Sequence, residues 1–119
     1  MIAAQLAELI GVEQVAGDTE VVAAYRFDRW CLKHWLDWQG EAMETPACVV
    51  RPRDAADVRT VVRFAAEHNV SIVPWGLGSG VCGGVEPQPD QILIDMSAMN
   101  QVLSIDCLLY TSPSPRDLH

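Results

Sequence analysis

The sequence predicts an α/β fold: a small β-sheet with one packed helix, preceded by N-terminal helices. Three observations predict it. Residues 55–68 carry Val58, Val61, Val62 and Ala65 at the i, i+3, i+4, i+7 spacing of one helix face. Short apolar runs flank that segment, ACVV at 47–50 and SIVP at 71–74. Two more runs follow, QILIDM at 91–96 and QVLSID at 101–106. The order strand, helix, strand, loop, strand, strand describes an α/β layer in which one helix covers a small sheet.

Each element has its own local justification. Residues 2–10, IAAQLAELI, are strong helix formers with Ile2, Leu6, Leu9 and Ile10 on one face, and Gly11 supplies the stop. Asp18 is placed to cap a second short helix, TEVVAAYRF, ending near Asp28. Residues 29–45 hold Trp30, Trp35, Trp38, His34 and Gly40 and are read as irregular, packed by the indoles. Pro52 breaks the first strand, Asp54 caps the long helix, and Asp57 sits in its first turn, where a negative charge is favourable. Asn69 is a C-cap residue, Pro87 and Pro89 mark a turn, and SAMN at 97–100 is a turn before a fourth strand. The chain therefore divides into an N-terminal helical and irregular segment (1–45), an α/β part (46–106) and a tail (107–119).

The tail reads CLLYTSPSPRDLH and has no hydrophobic period. Residues 107–117 match one translated frame of a transposase sequencing adapter. They are read as non-native, with the true frame expected to continue past about residue 106.

Composition narrows the function classes. The chain has 119 residues, 50% of them hydrophobic and 20% charged, with a net charge of −8. That balance is ordinary for a globular protein and argues against a nucleic-acid surface, which needs clustered Lys and Arg. No apolar run reaches the roughly 18 residues of a membrane span. The N-terminus lacks the basic leader of a signal peptide, so a cytoplasmic location is expected. Cys31, Cys48, Cys82 and Cys107 match no zinc spacing, and Cys31 with His34 supplies only two of the three or four ligands that a zinc site needs. No metal is expected.

The most informative stretch is VPWGLGSGVCGGVEP. Five of the chain's eight glycines lie in it, at 76, 78, 80, 83 and 84. Glycine costs about 0.5–1 kcal/mol against alanine in a regular element, so such a run signals backbone geometry or close approach to a ligand. Successive exposed N–H groups make a concave anion site. An acidic chain that binds an anion must rely on such dipoles, and a pyrophosphate cradle is the leading reading. Residues 78–83 also spell G-x-G-x-x-G, with Asp95 about where a ribose-binding acid stands in a Rossmann fold. That fingerprint needs a helix at its last glycine, whereas two prolines and a strand follow here. A P-loop lacks its Gly-Lys-Ser/Thr, and a serine-hydrolase elbow fails because Leu77 and Val81 stand where G-x-S-x-G needs glycines around Ser79. A plain strand connector is the simplest alternative.

Residues 46–106 resemble the start of the FAD-binding domain of the vanillyl-alcohol oxidase/p-cresol methylhydroxylase superfamily. The resemblance rests on a P-x-x-V-V-x-P strand and turn, a D-x-x-D-V helix, a V-P strand, a G-x-G-S-G loop and ILIDMSAMNQVLSID. The G-S-G-V-x-G-G form and the stretch from Tyr25 to Trp38 are most similar to the alkyl-dihydroxyacetonephosphate synthase and glycolate/D-lactate oxidase-like branches. The resemblance implies the first half of a PCMH-type FAD-binding domain. It implies that the FAD pyrophosphate is held on backbone N–H groups of Trp75, Gly76, Leu77, Gly78, Ser79 and Gly80, with Gly83 and Gly84 shaping the loop's exit. It also implies a flavin-dependent oxidoreductase acting on a small hydroxy acid or alcohol, or the related alkylglycerone-phosphate synthase reaction. Some relatives tether the flavin through a histidine in this loop; none stands here, so this loop is expected to hold FAD non-covalently. Leu77 occupies a position where many relatives carry glycine. Catalytic and substrate-contacting residues are expected downstream. A non-catalytic α/β binding module and a Rossmann-type NAD binder are the alternatives.

Overall fold

The structure, a computed structural model, describes residues 1–109. From residue 110 onward the adapter-like tail lies outside the described residues. The first helix, α1 (Ile2–Ile10), buries Leu6 and Ile10 and leaves Leu9 57% exposed, so its buried face is narrower than the apolar pattern suggests. Gly11 ends it at φ 108°, donating its N–H to Ala7 O. A 3₁₀ turn, Val12–Gln14, leads into β1 (Val15–Ala16), a strand too short to show in the sequence pattern.

Helix α2 (Thr19–Ala23) is shorter than expected. Its last turn tightens into three-residue bonds, Ala24 N–H to Val21 O and Tyr25 N–H to Val22 O, and the Arg26 side chain takes the Ala23 carbonyl at 2.9 Å. The segment expected to be irregular contains α3 (Cys31–Trp38), tied back by an Arg26–Asp37 ion pair at 2.9 Å. Its indoles do not pack it: Trp35 and Trp38 lie against each other with centroids 5.3 Å apart, 56% and 75% exposed. Only Trp30 turns inward.

The central unit follows the expected order: β2 (Cys48–Val50), α4 (Ala55–Glu67), β3 (Ile72–Trp75) and β4 (Ile92–Asp95). Asp54 caps α4, its carboxylate accepting the Asp57 N–H at 3.0 Å. Asn69 takes the left-handed conformation, φ 54°, just after the helix. QVLSID is not a strand. Residues 101–106 reach neither edge of the sheet, and Val102, Leu103 and Ile105 are 77%, 92% and 77% exposed. An alternating pattern forms a strand only where a neighbour offers backbone partners.

The sheet order is β1-β2-β4-β3, with β1 antiparallel to β2 and the other pairs parallel. Successive side chains point to opposite faces. Cys48, Val50, Ile92 and Ile94 join Leu6, Ile10, Val61, Phe64 and Ala65 in the main core beneath α1 and α4. Val49 and Leu93 point the other way, onto Val22, Tyr25, Trp75 and Val85. Full burial of a Val, Leu or Ile side chain contributes about 1.5–3 kcal/mol, so the fold rests on the first face. Residues before 46 supply part of both clusters. Arg53 fastens α1 to α4, donating to Ile10 O at 3.0 Å and pairing with the buried Asp57 carboxylate at 2.8 Å. The Arg53 hydrogen bond holds the Asp57 carboxyl below its ordinary range. Burial pushes the Cys48 thiol up to about 11, which leaves it a small core hydrophobe. Among the described residues no helix is long and apolar enough to cross a membrane.

Candidate functional site

The glycine loop leaves the C-terminal end of β3, where ligands of parallel sheets commonly bind. Two connections anchor its start. Trp75 pairs with Asp95 across the β3–β4 ladder, and its ring meets Tyr25 edge-on at 4.9 Å. The Tyr25 hydroxyl donates to Asp95 Oδ2 at 2.6 Å, and Ser97 N–H donates to Asp95 Oδ1 at 2.9 Å. Burial raises the Tyr25 hydroxyl, and the Asp95 hydrogen bond adds to it, giving about 12. Burial also acts to raise the Asp95 carboxyl, but the Tyr25 and Ser97 bonds and the Arg51 charge outweigh it and hold it below its ordinary value. Asp95 is therefore committed to bracing the strand end. The place of a ribose ligand, which the G-x-G-x-x-G spelling suggested for it, does not fit a carboxylate with both oxygens engaged.

The loop rests on residues 28–30. Arg29 N–H donates to Gly80 O at 2.9 Å. Gly83, at φ 76°, lies so close to the Trp30 indole that a β-carbon there would stand 2.5 Å from the ring. Gly78, at φ 66°, sits under the Trp75 indole, which leaves no room for a β-carbon. These two glycines are required by the protein's own indoles. Gly76 and Gly84 have nothing within 4 Å of a would-be β-carbon, and Leu77 is 81% exposed. Ser79 and Gly80 are exposed as well.

The backbone carries the chemistry. Among the described residues, no N–H of residues 76–86 donates a hydrogen bond to another protein group. Successive backbone N–H groups left without a protein partner form an anion-binding concavity. A cavity of about 330 Å³ opens beside the loop, lined by Trp75, Leu77 and Gly78 with Arg26, Asp28 and Arg29. Arg26 is engaged with Asp37, whereas the Arg29 guanidinium makes no hydrogen bond or ion pair among the described residues. At the loop's exit Glu86 pairs with Lys33 at 2.5 Å. No helix begins at Gly83 or Gly84, so the Rossmann arrangement is not formed.

The expected site residues thus fall on one loop, but the segment beneath it was not expected to belong to the site. Asp28, Arg29 and Trp30 meet the loop about fifty positions away in the chain, and no local pattern announces such a contact. His34 lies within 3.1 Å of the Asp28 carbonyl and edge-on to Phe27, away from any ligand cluster. Among the described residues no three His, Cys, Asp or Glu side chains gather as a metal site would require. Arg51 and Arg53 stand at the start of α4 and serve Asp95 and Asp57.

Comparison with known proteins agrees with this geometry. A family model described as FAD binding domain matches residues 46–110. Alkyldihydroxyacetonephosphate synthase of Trypanosoma brucei brucei is 31% identical over 107 residues, 86% of this chain and 18% of that protein. The glycolate oxidase subunit GlcD of Bacillus subtilis is 36% identical over 61 residues, 51% of this chain and 13% of that protein. The mitochondrial D-2-hydroxyglutarate dehydrogenase of Bos taurus is 33% identical over 69 residues, 58% of this chain and 13% of that protein. A solved structure of alkyldihydroxyacetonephosphate synthase superposes with a TM-score of 0.78 at 27% identity, covering 87% of this chain and 20% of that one. A structure of p-cresol methylhydroxylase with substrate bound shares the fold, with a TM-score of 0.67 at 21% identity over 87% of this chain and 19% of that one. The chain spans less than a fifth of these curated relatives. The unspent N–H groups of the glycine loop, the strand order around it and the match over residues 46–110 lead to one conclusion: this chain belongs to the FAD binding domain family, with FAD as its cofactor.

Proposed function

We propose that the loop from Trp75 to Gly80 holds the pyrophosphate of FAD, with Gly83 and Gly84 shaping its exit. The full-length protein is then a flavin-dependent oxidoreductase that acts on a small hydroxy acid or alcohol, or carries out the related alkylglycerone-phosphate synthase reaction. The observation that carries this reading is the run of unspent backbone N–H groups over residues 76–86. Each N–H on a charged oxygen contributes about 1.5–3 kcal/mol. Ser79 adds a hydroxyl donor, and the Arg29 guanidinium adds positive charge beside the cavity. The ring of Trp75 stiffens the turn over Gly78, so Trp75 contributes through packing and its neighbours through their N–H groups. When bound, FAD supplies the redox chemistry, and the role of these residues is to grip and orient it. The loop contains no histidine, so its hold is non-covalent. The relatives named as glycolate oxidase and D-2-hydroxyglutarate dehydrogenase support a hydroxy-acid substrate. The identity of alkyldihydroxyacetonephosphate synthase over most of this chain supports the ether-lipid reaction.

The test is Leu77→Asp in the full-length protein. Leu77 is 81% exposed, so the fold tolerates the change, while the new carboxylate stands at the pyrophosphate. FAD affinity should fall about tenfold or more, with an unchanged melting temperature of the apoprotein. Unaltered flavin affinity would remove this loop from the cofactor site.

A further inference from the structure

Asp28 is the buried polar group that neither the fold nor the proposed site has used. It is 3% exposed. One oxygen, Oδ1, accepts the Trp30 N–H at 2.9 Å and so shapes residues 28–30 into a turn. The other, Oδ2, is buried and has no partner among the described residues. A buried acceptor left unmatched is costly, and such groups signal strain or function. Its surroundings point to function. Oδ2 faces the glycine loop, where a β-carbon on Gly80 would stand 3.2 Å from it. The next residue, Arg29, donates its N–H to Gly80 O at 2.9 Å. In a planar trans peptide C=O and N–H point in opposite directions. With Gly80 C=O drawn toward Arg29, the Val81 N–H is turned away from residues 28–30.

We infer that Asp28 is a positioning residue for the pyrophosphate loop. Its Oδ1 holds the turn that pins Gly80 C=O and turns the Val81 N–H outward, and its free Oδ2 accepts an inward-facing loop N–H as the loop closes on the cofactor. The inference rests on the reading of this loop as the FAD cradle. It also explains why Gly80 lacks a side chain although its backbone is not in the left-handed region: a β-carbon would crowd the acceptor.

The two carboxylate oxygens allow a clean separation of roles. Asp28→Asn keeps an oxygen for the Trp30 N–H and replaces Oδ2 by a donor, which no loop N–H can use. The measurement is the dissociation constant of FAD for the full-length apoprotein, read by flavin fluorescence, beside the apoprotein's melting temperature. Asp28→Asn should weaken FAD binding about tenfold while the melting temperature stays near that of the wild type. If the wild type binds FAD and Asp28→Asn binds it equally well, the inference fails and the loop assignment stands. If the wild type takes up no FAD, the loop assignment fails and this inference with it. Should Asp28→Asn not fold, Gly80→Ala probes the same contact from the loop side. Its β-carbon presses on Oδ2, and it too should weaken FAD binding about tenfold; unchanged affinity overturns the inference.

Discussion

On the face covered by α1 and α4, Leu6, Val61 and Ile92 are sealed from solvent within one apolar cluster. On the opposite face, Val22, Val49 and Leu93 make a smaller apolar patch, bordered by the Tyr25–Asp95 pair, the Asp28 turn and the open glycine loop. Both faces are drawn from the same strands, alternate residues going to each. The difference separates the face that holds the fold from the face proposed to bind the cofactor. The first face gains free energy by excluding water. The second keeps backbone donors exposed and fixes them with a few polar braces and two indoles, which stabilise little but set direction.

The comparison can be broken most forcefully at Leu6. Leu6→Ala should cost about 2–5 kcal/mol in denaturant unfolding, because the site is fully buried between α1, the sheet and α4. A loss below about 1 kcal/mol would mean that the first face is not the one holding the fold. Gly78→Val comes next, at about 1–3 kcal/mol, from a positive φ and the Trp75 ring combined. Flavin would be lost as well, but that loss does not isolate a ligand contact, since the protein itself forbids a side chain there. Leu77→Asp is the cleaner probe for that reason.

Tyr25→Phe sharpens the contrast at the sheet's polar end. It removes the 2.6 Å bond and leaves Asp95 Oδ2 without its neutral donor, at about 1–2 kcal/mol near neutral pH. The pH dependence has a defined sign. The Tyr25 hydroxyl is raised from 10.0 to about 12 in the folded chain, so its stabilisation is complete below pH 10 and is lost as pH rises toward about 12. The Asp95 carboxyl is lowered, so its share is present above its ordinary value of 3.8 and is lost as pH falls through the folded value. Thermal melts from pH 9 to 12 should show a steeper decline for the wild type than for the variant. The smallest effect belongs to Trp38→Ser, within about 0.5 kcal/mol, because that indole is 75% exposed and touches chiefly Trp35. A larger loss in the melting curve would make α3 part of the structural core.

Where pattern and environment agree, the sequence is readable. Helix α4 has a cap, an apolar stripe and a stop residue within one short window; the cap and the stop form as expected, while the buried stripe is shifted, with Val61, Phe64 and Ala65 in the core and Val62 48% exposed. The strands at residues 48–50, 72–75 and 92–95 stand within one or two positions of their apolar runs. Two expectations failed for opposite reasons. Residues 101–106 have strand composition but reach neither edge of the sheet. Residues 31–38 hold bulky aromatic residues that suggested irregular packing, yet they form a helix whose indoles face solvent. In each case the deciding contact, absent or present, lies outside the segment.

The loop follows the same division. Its glycine content, its lack of a following helix and its family pattern are local and were visible in the chain itself. Local sequence cannot show which glycines face an indole and which stand open, that Asp95 spends both oxygens on Tyr25 and Ser97, or that Asp28 lies beneath Gly80. The sequence by itself determined the α/β order and the backbone loop that suits a pyrophosphate, because propensity, capping and glycine geometry act within a few residues. Only the tertiary structure decided which side chains stand under that loop, because contacts between residues fifty positions apart depend on how the whole sheet and its helices pack.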